Sequence, residues 1–440
     1  MKSLPFTPNP WLVILSLAAA LLLSPMARAA DAFIVELDLD ALAPEVAPYG
    51  ERLARAQERL LAMAELGTIP SQRFRHLPLL AVRVTPAQAQ ALAGRQGVLA
   101  LHPDRLFRPQ LAETTFQIGA LSSQTQGFDG AGWTVAVLDT GVDGDHPFVA
   151  GAIVAEACFS SPSRRAWFGP SSLCPDASEQ QLGPGAGAAC PATVAGCDHG
   201  THVAGIAAGY GGAAGVDFSG VAPGASLMAI QVFSELRGWD CYHQGLASPC
   251  ALAYTSDIVA ALEYVYDQRD TLAIAAVNLS LGGGSYGEPC PGTPEAAAIE
   301  LLTTAGIAVV AAAGNGGDAT GIASPACAPG ALAVGAVDNA DLVAEFSNAG
   351  TPLDLWAPGV EVTSSIPGDG YGAFSGTSMA APHVAGAVAV LRSAYPEADL
   401  ATLTEALLAG GVAVTDPRSG LTFPRLQVDG ALEALAITAP

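Results

Sequence analysis

The strongest constraint on the fold is a series of continuous apolar runs that alternate with helical patterns beyond about residue 110. A strand made only of apolar residues is buried on both faces, as in a parallel sheet, and parallel neighbours need a crossover between them. The runs are residues 133–138, 273–281, 307–313 and 332–337, and the helical patterns are residues 199–208, 256–267, 293–304 and 378–394. The sequence therefore predicts an α/β fold with a mostly parallel sheet and helices on both faces.

Residues 31–108 form a distinct part of the sequence, which is free of cysteine and holds more than half of the chain's arginines. Residue spacing predicts strands at 32–37, 79–84 and 98–101, and helices at 49–66 and 86–94, the second of which begins after Thr85. Strands and helices that alternate over so short a span predict a small α/β domain ahead of the larger one.

The amino-terminal residues predict export. Lys2 precedes an apolar run at 11–23, and Ala27 and Ala29 form an Ala-x-Ala site. This pattern is typical of a cleavable signal peptide, and we expect cleavage after Ala29. A membrane anchor is the alternative, but the run is shorter than the roughly 20 residues that a span needs. The prediction is a secreted protein, extracellular or periplasmic, without membrane association.

All eight cysteines lie beyond residue 150 and agree with an oxidising destination. Their even number indicates disulfides, whereas zinc binding, the alternative, would favour a C-x-x-C pair that the sequence lacks. The sequence does not fix the pairing, but closure of short loops favours Cys241 with Cys250 first and Cys174 with Cys190 second. Residues 159–196, rich in Ser, Pro, Gly and Cys, are predicted to form a long loop pinned by disulfides.

The charge balance excludes some partners. The formal net charge is -23, and Lys2 is the only lysine. Without a basic run to neutralise phosphates, the chain is not expected to bind nucleic acid. An anionic surface also disfavours binding to anionic lipid. We interpret the acidity as a solubility feature and expect a monomer.

Three separate motifs supply candidate catalytic residues. Asp139 follows the first apolar strand, His199 begins a helix, and Ser378 precedes an alanine-rich helical run. Each has a common structural explanation: a turn for Asp139, a helix cap for Ser378, and for His199 a structural role or, with His202, an incomplete zinc site. Together they supply a hydroxyl, a base to accept its proton and a carboxylate to orient that base, as acyl transfer by serine requires.

In this order, and with their flanking residues, the motifs resemble the three signatures of the subtilisin-like serine proteases. The resemblance runs from about residue 131 to residue 391. It implies a secreted serine endopeptidase that acts on proteins or peptides, with Asp139, His199 and Ser378 as its catalytic triad. An esterase or peptide ligase on the same triad, and an inactive binding protein that keeps the fold, are the alternatives.

The same resemblance implies an oxyanion hole and a substrate-binding strand. Asn315 lies in a segment similar to the family's oxyanion motif, so its side-chain amide and the Ser378 N–H are the expected donors. An extended substrate would pair with the strand and with a second flanking segment at 251–254, and residues 323–325 would complete the first specificity pocket. The expected substrate-binding residues are Ser280, Leu281, Gly282, Gly283, Ala313 and Gly314.

The smaller domain resembles, in pattern and position, the inhibitory propeptide found ahead of many subtilisin-like catalytic domains. The resemblance implies a ferredoxin-like propeptide that assists folding, occupies the cleft and is removed by cleavage between Arg108 and Gln117. An ordinary accessory domain is the alternative. The predicted organisation is a signal peptide at 1–29, a propeptide domain at 30–110 and a catalytic domain at 111–440.

The implied chemistry requires no cofactor. In many family members an aspartate follows the His-Pro pair that is His146 and Pro147 here, whereas this chain has Phe148. The difference removes a carboxylate from the neighbourhood of a hard-cation site. The sequence therefore identifies no metal ligand and leaves structural calcium open, and the disulfides are an alternative means of bracing the fold.

Overall fold

The computed structural model describes residues 31–63, 71–73, 78–103, 110–161 and 171–438. The chain divides into two compact units, Met1–Phe107 and Arg108–Pro440. The predicted signal peptide and the end of the predicted helix 49–66 lie outside the described residues.

The smaller unit contains a four-stranded antiparallel sheet in the order β2-β3-β1-β4. The elements follow one another as β-α-β-β-α-β, with the first helical segment split in two, which is compatible with the ferredoxin-like expectation. Its strands are β1 Asp31–Leu37, β2 Ser71–Arg73, β3 Leu79–Val84 and β4 Val98–Pro103, and its helices are α1 Leu39–Leu42, α2 Tyr49–Met63 and α3 Pro86–Ala93.

Side-chain alternation places one face of this sheet against the helices. Val35 and Leu80 are paired across β1 and β3, and both are fully buried. Leu53 of α2 belongs to the same apolar cluster. Thr85 caps α3 through a capping box with Gln88, which satisfies N–H groups that the helix itself cannot pair. The small unit therefore has a core of its own.

The larger unit is built on a ten-stranded sheet in the order β20-β21-β17-β16-β14-β12-β5-β9-β6-β8. Its neighbouring strands are parallel except for the antiparallel pairs β20–β21 and β6–β8 at the two edges. The strands of the unit are β5 Thr134–Asp139, β6 Ile153–Phe159, β7 Ser171–Ser172, β8 Gln180–Leu182, β9 Ser226–Gln231, β10 Phe233–Leu236, β11 Cys250–Ala253, β12 Ile274–Leu279, β13 Gly283–Tyr286, β14 Ala308–Ala312, β15 Ile322–Ser324, β16 Ala331–Val337, β17 Leu355–Pro358, β18 Val362–Ile366, β19 Gly370–Phe374, β20 Val412–Thr415 and β21 Thr422–Arg425. Three small sheets, β11-β10-β7, β13-β15 and β18-β19, accompany it.

Helices cover both faces of the large sheet, as the alternation along β5 shows. The helices are α4 Gln110–Gln117, α5 Ala120–Thr125, α6 His199–Ala208, α7 Gly211–Ala214, α8 Trp239–His243, α9 Thr255–Gln268, α10 Pro294–Thr304, α11 Thr377–Ala394, α12 Leu400–Ala409 and α13 Val428–Thr438. Val135 and Val137 share an apolar cluster with α6 and α11, whereas Ala136 and Leu138 share another with α9 and α10. Because successive strand side chains point to opposite faces, the two clusters lie on opposite sides of the sheet. The predicted α/β architecture is confirmed.

All four predicted apolar runs form strands of the large sheet, with boundaries within two residues of those expected. The sequence did not predict β6 or β9, because β6 carries Glu156 and is only partly buried, while the apolar part of β9 is very short. The predicted loop 159–196 also contains the short strands β7 and β8, and its residues 162–170 lie outside the described part. Among the described residues, no helix is both long and apolar enough to span a membrane.

Four disulfides brace the larger unit. The pair Cys241–Cys250 is confirmed, whereas the pairing of Cys174 with Cys190 is wrong. Cys174 bonds Cys158 at a separation of 16 residues, the same separation as in the expected pair, so loop length could not distinguish the two. The remaining disulfides are Cys190–Cys197 and Cys290–Cys327.

Loop length should determine how much each disulfide stabilises the fold. Replacing Cys290 and Cys327 together by serine should lower the free energy of unfolding by about 1.5 kcal/mol more than replacing Cys190 and Cys197, because the sequence separations are 37 and 7. All four cysteines are buried, so the free-energy cost of burying two serine hydroxyls is similar in the two double variants. Urea unfolding of the two double variants measures the difference, and equal losses would contradict the argument.

Candidate active site

The catalytic candidates lie where strands end and helices begin. Asp139 is the last residue of β5, His199 the first of α6 and Ser378 the second of α11, while Asn315 follows β14. Parallel strands end at one edge of a sheet, so residues at these positions converge there. His199, Asn315 and Ser378 line one cleft of about 1020 Å³, and Asp139 is buried against His199.

A buried carboxylate holds the imidazole of His199. Its Nδ1 lies 2.8 Å from Oδ1 and 3.0 Å from Oδ2 of Asp139, which is fully buried. Oδ1 also accepts the backbone N–H of Thr140 at 2.7 Å. An ionised carboxylate only accepts hydrogen bonds, so Nδ1 carries the proton and Nε2 is the basic nitrogen of the neutral ring.

The close approach of α6 to β5 depends on Gly200. A Cβ atom at this position would lie 2.2 Å from the carbonyl oxygen of Gly141 and 3.1 Å from Oδ1 of Asp139. The N–H of Gly200 donates to Oγ1 of Thr140 at 3.0 Å. A side chain here would force the helix that carries His199 away from the strand that carries Asp139.

Opposing effects set the pKa of His199. Burial lowers this pKa, but the Coulombic attraction and hydrogen bond of the Asp139 carboxylate raise it, with a smaller contribution from Asp198. The net result is a pKa above the ordinary value of 6.5. His199 is therefore suited to accept a proton, and it is neutral only when the pH exceeds this raised pKa.

His202 does not join His199 in a metal site. Its Nε2 lies 2.9 Å from the carbonyl oxygen of Gly372, and its ring stacks on Phe374. Burial lowers the pKa of His202 to about 3, so the ring is neutral in the core. In the described ranges, no three His, Cys, Asp or Glu residues are grouped so that they could hold a metal ion. The structure gives no support to the zinc alternative.

Phe148 occupies an apolar position, in agreement with the loss of a carboxylate noted in the sequence. It is fully buried, and its ring packs against those of Phe218 and Tyr371. The preceding His146 is also buried and hydrogen-bonds the carbonyl oxygen of Gly370 through Nε2. These residues fit a packed core and do not fit a hard-cation site, which requires oxygen ligands.

Ser378 lies in the first turn of α11 but does not cap it. The N-cap is Gly376, so the interpretation of Ser378 as the helix cap is wrong. The hydroxyl of Ser378 donates to the carbonyl oxygen of Ser280 at 3.1 Å. Its N–H belongs to the first helical turn, where no earlier carbonyl of the helix can accept it. Both groups are therefore placed where the cleft meets the positive end of a helix.

A side chain just after β12 compensates for a proline in α11. Pro382 has no N–H, so it cannot bond the carbonyl of Ser378 four residues earlier. The Ser280 hydroxyl donates to that carbonyl instead, at 2.7 Å. Nδ2 of Asn278 in turn donates to Oγ of Ser280 at 2.9 Å. This chain of hydrogen bonds fixes Ser378 relative to the end of β12.

Thr377 orients the side-chain amide of Asn315. Oδ1 of Asn315 accepts the N–H of Thr377 at 2.8 Å and its hydroxyl at 3.0 Å. With its oxygen held in this way, the amide has its NH₂ group left for a ligand in the cleft. Gly314, with φ of +104°, allows the turn before Asn315, because a Cβ there would lie 2.5 Å from Nδ2 of Asn348.

Five of the six expected substrate-binding residues line the cleft. Ala313 does not line it; it is fully buried, and its neighbour Ala312 takes the expected place. Adjacent residues at the end of β14 point in opposite directions, which explains the shift by one residue. Ser324 and Pro325 also line the cleft, as expected for the first pocket. The five lining residues are Ser280, Leu281, Gly282, Gly283 and Gly314.

The segment 251–254, expected as the second flanking strand, overlaps β11, which begins and ends one residue earlier. It pairs with β10, and its residues 251–253 border the cleft. Sequence reasoning missed Thr255 and Glu295, which also line the cleft. An acidic residue in the first turn of a helix is so common that Glu295 gave no signal in the sequence.

The comparisons with known proteins agree with this geometry. A model of the Subtilase family matches residues 130–410. Subtilisin E of Bacillus subtilis (strain 168) is 32% identical over 340 residues, covering 76% of this chain and 75% of its own. The subtilisin of Bacillus pumilus is 35% identical over 283 residues, covering 64% of this chain and 84% of its own. A cold-adapted subtilisin-like serine proteinase of known structure matches with a TM-score of 0.51 and 28% identity, over 68% of this chain and 90% of that chain.

The chain therefore belongs to the subtilase family, and it is a serine endopeptidase with the subtilisin-like α/β fold. The family membership inferred from the three motifs is confirmed. Subtilases need no cofactor for catalysis, and protein substrates are what a protease of this family acts on.

The raised pKa of His199 should depend on Asp139. In the Asp139→Asn protein the carboxylate charge is lost while burial remains, so the pKa of His199 should fall below 6.5. NMR titration of the imidazole nitrogens measures this directly. Asp198→Asn is the matched control and should produce a smaller decrease, because Asp198 contributes least. A titration midpoint that stays above 6.5 in Asp139→Asn would contradict the assignment.

Proposed function

We propose that this subtilase is a secreted endopeptidase, made as a self-processing zymogen, which cleaves peptide bonds through an acyl-enzyme on Ser378. The observation that carries the proposal is the contact of 2.8 Å between Nδ1 of His199 and the buried Asp139, in the cleft that also contains Ser378 and Asn315. A base held by a carboxylate, a hydroxyl and an amide donor are the groups that acyl transfer requires.

In the proposed mechanism His199 acts as general base and then as general acid. Its Nε2 accepts the proton of Ser378 as Oγ attacks the substrate carbonyl, and later returns the proton to the leaving amine. Asp139 keeps the proton on Nδ1 and stabilises the imidazolium. The Ser378 hydroxyl, now bonded to the carbonyl oxygen of Ser280, must rotate towards His199 as substrate binds. The hydrogen bond between a catalytic hydroxyl and its base often forms only in the substrate complex.

The oxyanion of the tetrahedral intermediate would be held by two donors. One is the Nδ2 group of Asn315, whose orientation Thr377 fixes through Oδ1. The other is the N–H of Ser378, in the first turn of α11. Donors held in advance at the site of developing charge need no rearrangement during the reaction, which makes them effective.

Substrate would bind as an extended strand. Residues 280–283, with Gly314, form one wall of the cleft, and β11 borders it as the second flanking strand. Backbone hydrogen bonds would supply affinity that is independent of sequence, and pockets for side chains would supply selectivity.

Residues 30–110 would form the inhibitory propeptide and residues 111–440 the catalytic domain, after loss of a signal peptide at 1–29. Support comes from the independent core of the small unit and from the four disulfides of the larger unit. Disulfides of this kind are typical of exported proteins. The propeptide would act as an intramolecular inhibitor, and the active form would be a monomer. No calcium site is proposed.

The Ser378→Ala protein should lose both hydrolysis and self-processing, by at least about a thousandfold, because no other group can form the acyl-enzyme. N-terminal sequencing and intact mass of the exported protein, with casein degradation, measure both effects. The unaltered chain should begin between Arg108 and Gln117, and the variant should keep residues 30–110. Ser393→Ala, near the other end of α11, is the matched control and should mature normally.

A Ser378→Ala protein that still matures and degrades casein would contradict the proposal. Normal casein degradation by a chain that keeps residues 30–110 would instead contradict only the inhibitory role of that domain.

A further inference from the structure

One carboxylate in the cleft takes no part in the proposed chemistry. Glu295 is the second residue of α10, lines the cleft and is only 7% exposed. Its neighbours along the same wall include Ile258 of α9 and Leu281, which pack in one apolar cluster. A carboxylate so deeply placed among apolar side chains is unusual unless something compensates for its charge.

The described part of the chain supplies few groups that could compensate for the charge of the Glu295 carboxylate. Oε1 of Glu295 accepts one hydrogen bond, from the Thr255 hydroxyl at 3.3 Å. No arginine or histidine among the described residues forms an ion pair with it. A carboxylate has about four acceptor positions, so most of its capacity is left for a ligand.

The site lies on the substrate path. Thr255, Glu295 and Ile258 line the same cleft as Ser280 and Gly282, which are two of the expected substrate-binding residues. The hydroxyl of Ser378 bonds the carbonyl oxygen of Ser280, so Ser280 lies beside the nucleophile, and residues 281–284 continue the lining of the cleft from there. Because the first specificity pocket is expected to take the residue before the scissile bond, a substrate segment further upstream would extend past that pocket as an added strand. Glu295 would then face a residue on the amino-terminal side of the scissile bond.

We propose that Glu295 makes this protease selective for a cationic side chain, arginine or lysine, at one substrate position upstream of the cleaved bond. The cation would exchange its hydration for charge-assisted hydrogen bonds with the Glu295 carboxylate, while its methylene groups pack on Ile258 and Leu281. This inference rests on the proposed function, because it names the side chain that the proposed cleft selects. The chain itself carries Arg105 and Arg108 just before the region where self-cleavage is expected.

The test uses quenched fluorescent peptides in which arginine or norleucine occupies each upstream position from the second to the sixth in turn. Norleucine keeps the apolar stem and removes the charge. At one position the unaltered protease should show a kcat/KM about 10- to 100-fold higher for arginine than for norleucine. In the Glu295→Gln protein this ratio should fall close to one.

Glu300→Gln is the matched control, since Glu300 lies on the same helix and is exposed; this variant should keep the arginine preference. Glu295→Leu is the second variant, in case the buried amide impairs folding, and it should favour norleucine. The inference is overturned if the unaltered enzyme shows no arginine preference at any upstream position. It is also overturned if the preference survives in Glu295→Gln or Glu295→Leu. Failure of the unaltered chain to cleave either peptide would count against the proposed function itself.

Discussion

The short contact between Asp139 and His199 is the interaction on which the rest of the site depends. It joins the end of β5 to the beginning of α6, and the close approach depends on Gly200, where a Cβ atom would lie 2.2 Å from the carbonyl oxygen of Gly141. The carboxylate is fully buried, so its charge acts on the imidazole with little screening. One contact therefore sets the orientation of the ring, the nitrogen that carries the proton and the direction of the pKa shift.

The remaining groups are positioned by the same parallel sheet. The ends of β12 and β14 bring Ser280 and Asn315 to the beginning of α11, where Ser378 lies. Side-chain hydrogen bonds then hold these three residues in fixed positions relative to one another. Ser280 bonds the carbonyl that Pro382 leaves unpaired, and Thr377 holds the oxygen of Asn315. Short side chains that hydrogen-bond one another thus line the cleft, and these bonds favour a site that is organised before substrate binds.

The sequence predicted the parts of this structure that local chemistry determines. The apolar runs predicted the central strands because burial on both faces demands them, and Asp139, His199 and Ser378 were identifiable because each stands in a distinctive motif. The pairing of Cys174 failed because two candidate loops had equal length. Ala312 replaced Ala313 because a shift of one residue reverses the direction of a side chain. Glu295 escaped notice because only the folded chain shows that its helix begins inside the cleft.

The most direct test of the central claim is covalent labelling of the mature protein with a fluorophosphonate, which reacts with a serine hydroxyl only when a neighbouring base activates it. Peptide mapping by mass spectrometry should find one adduct per chain, on Ser378. The labelling rate should rise with pH through the raised pKa of His199 and should be lost in His199→Ala. An unlabelled protein, or an adduct on another serine with Ser378 unmodified, would contradict the account.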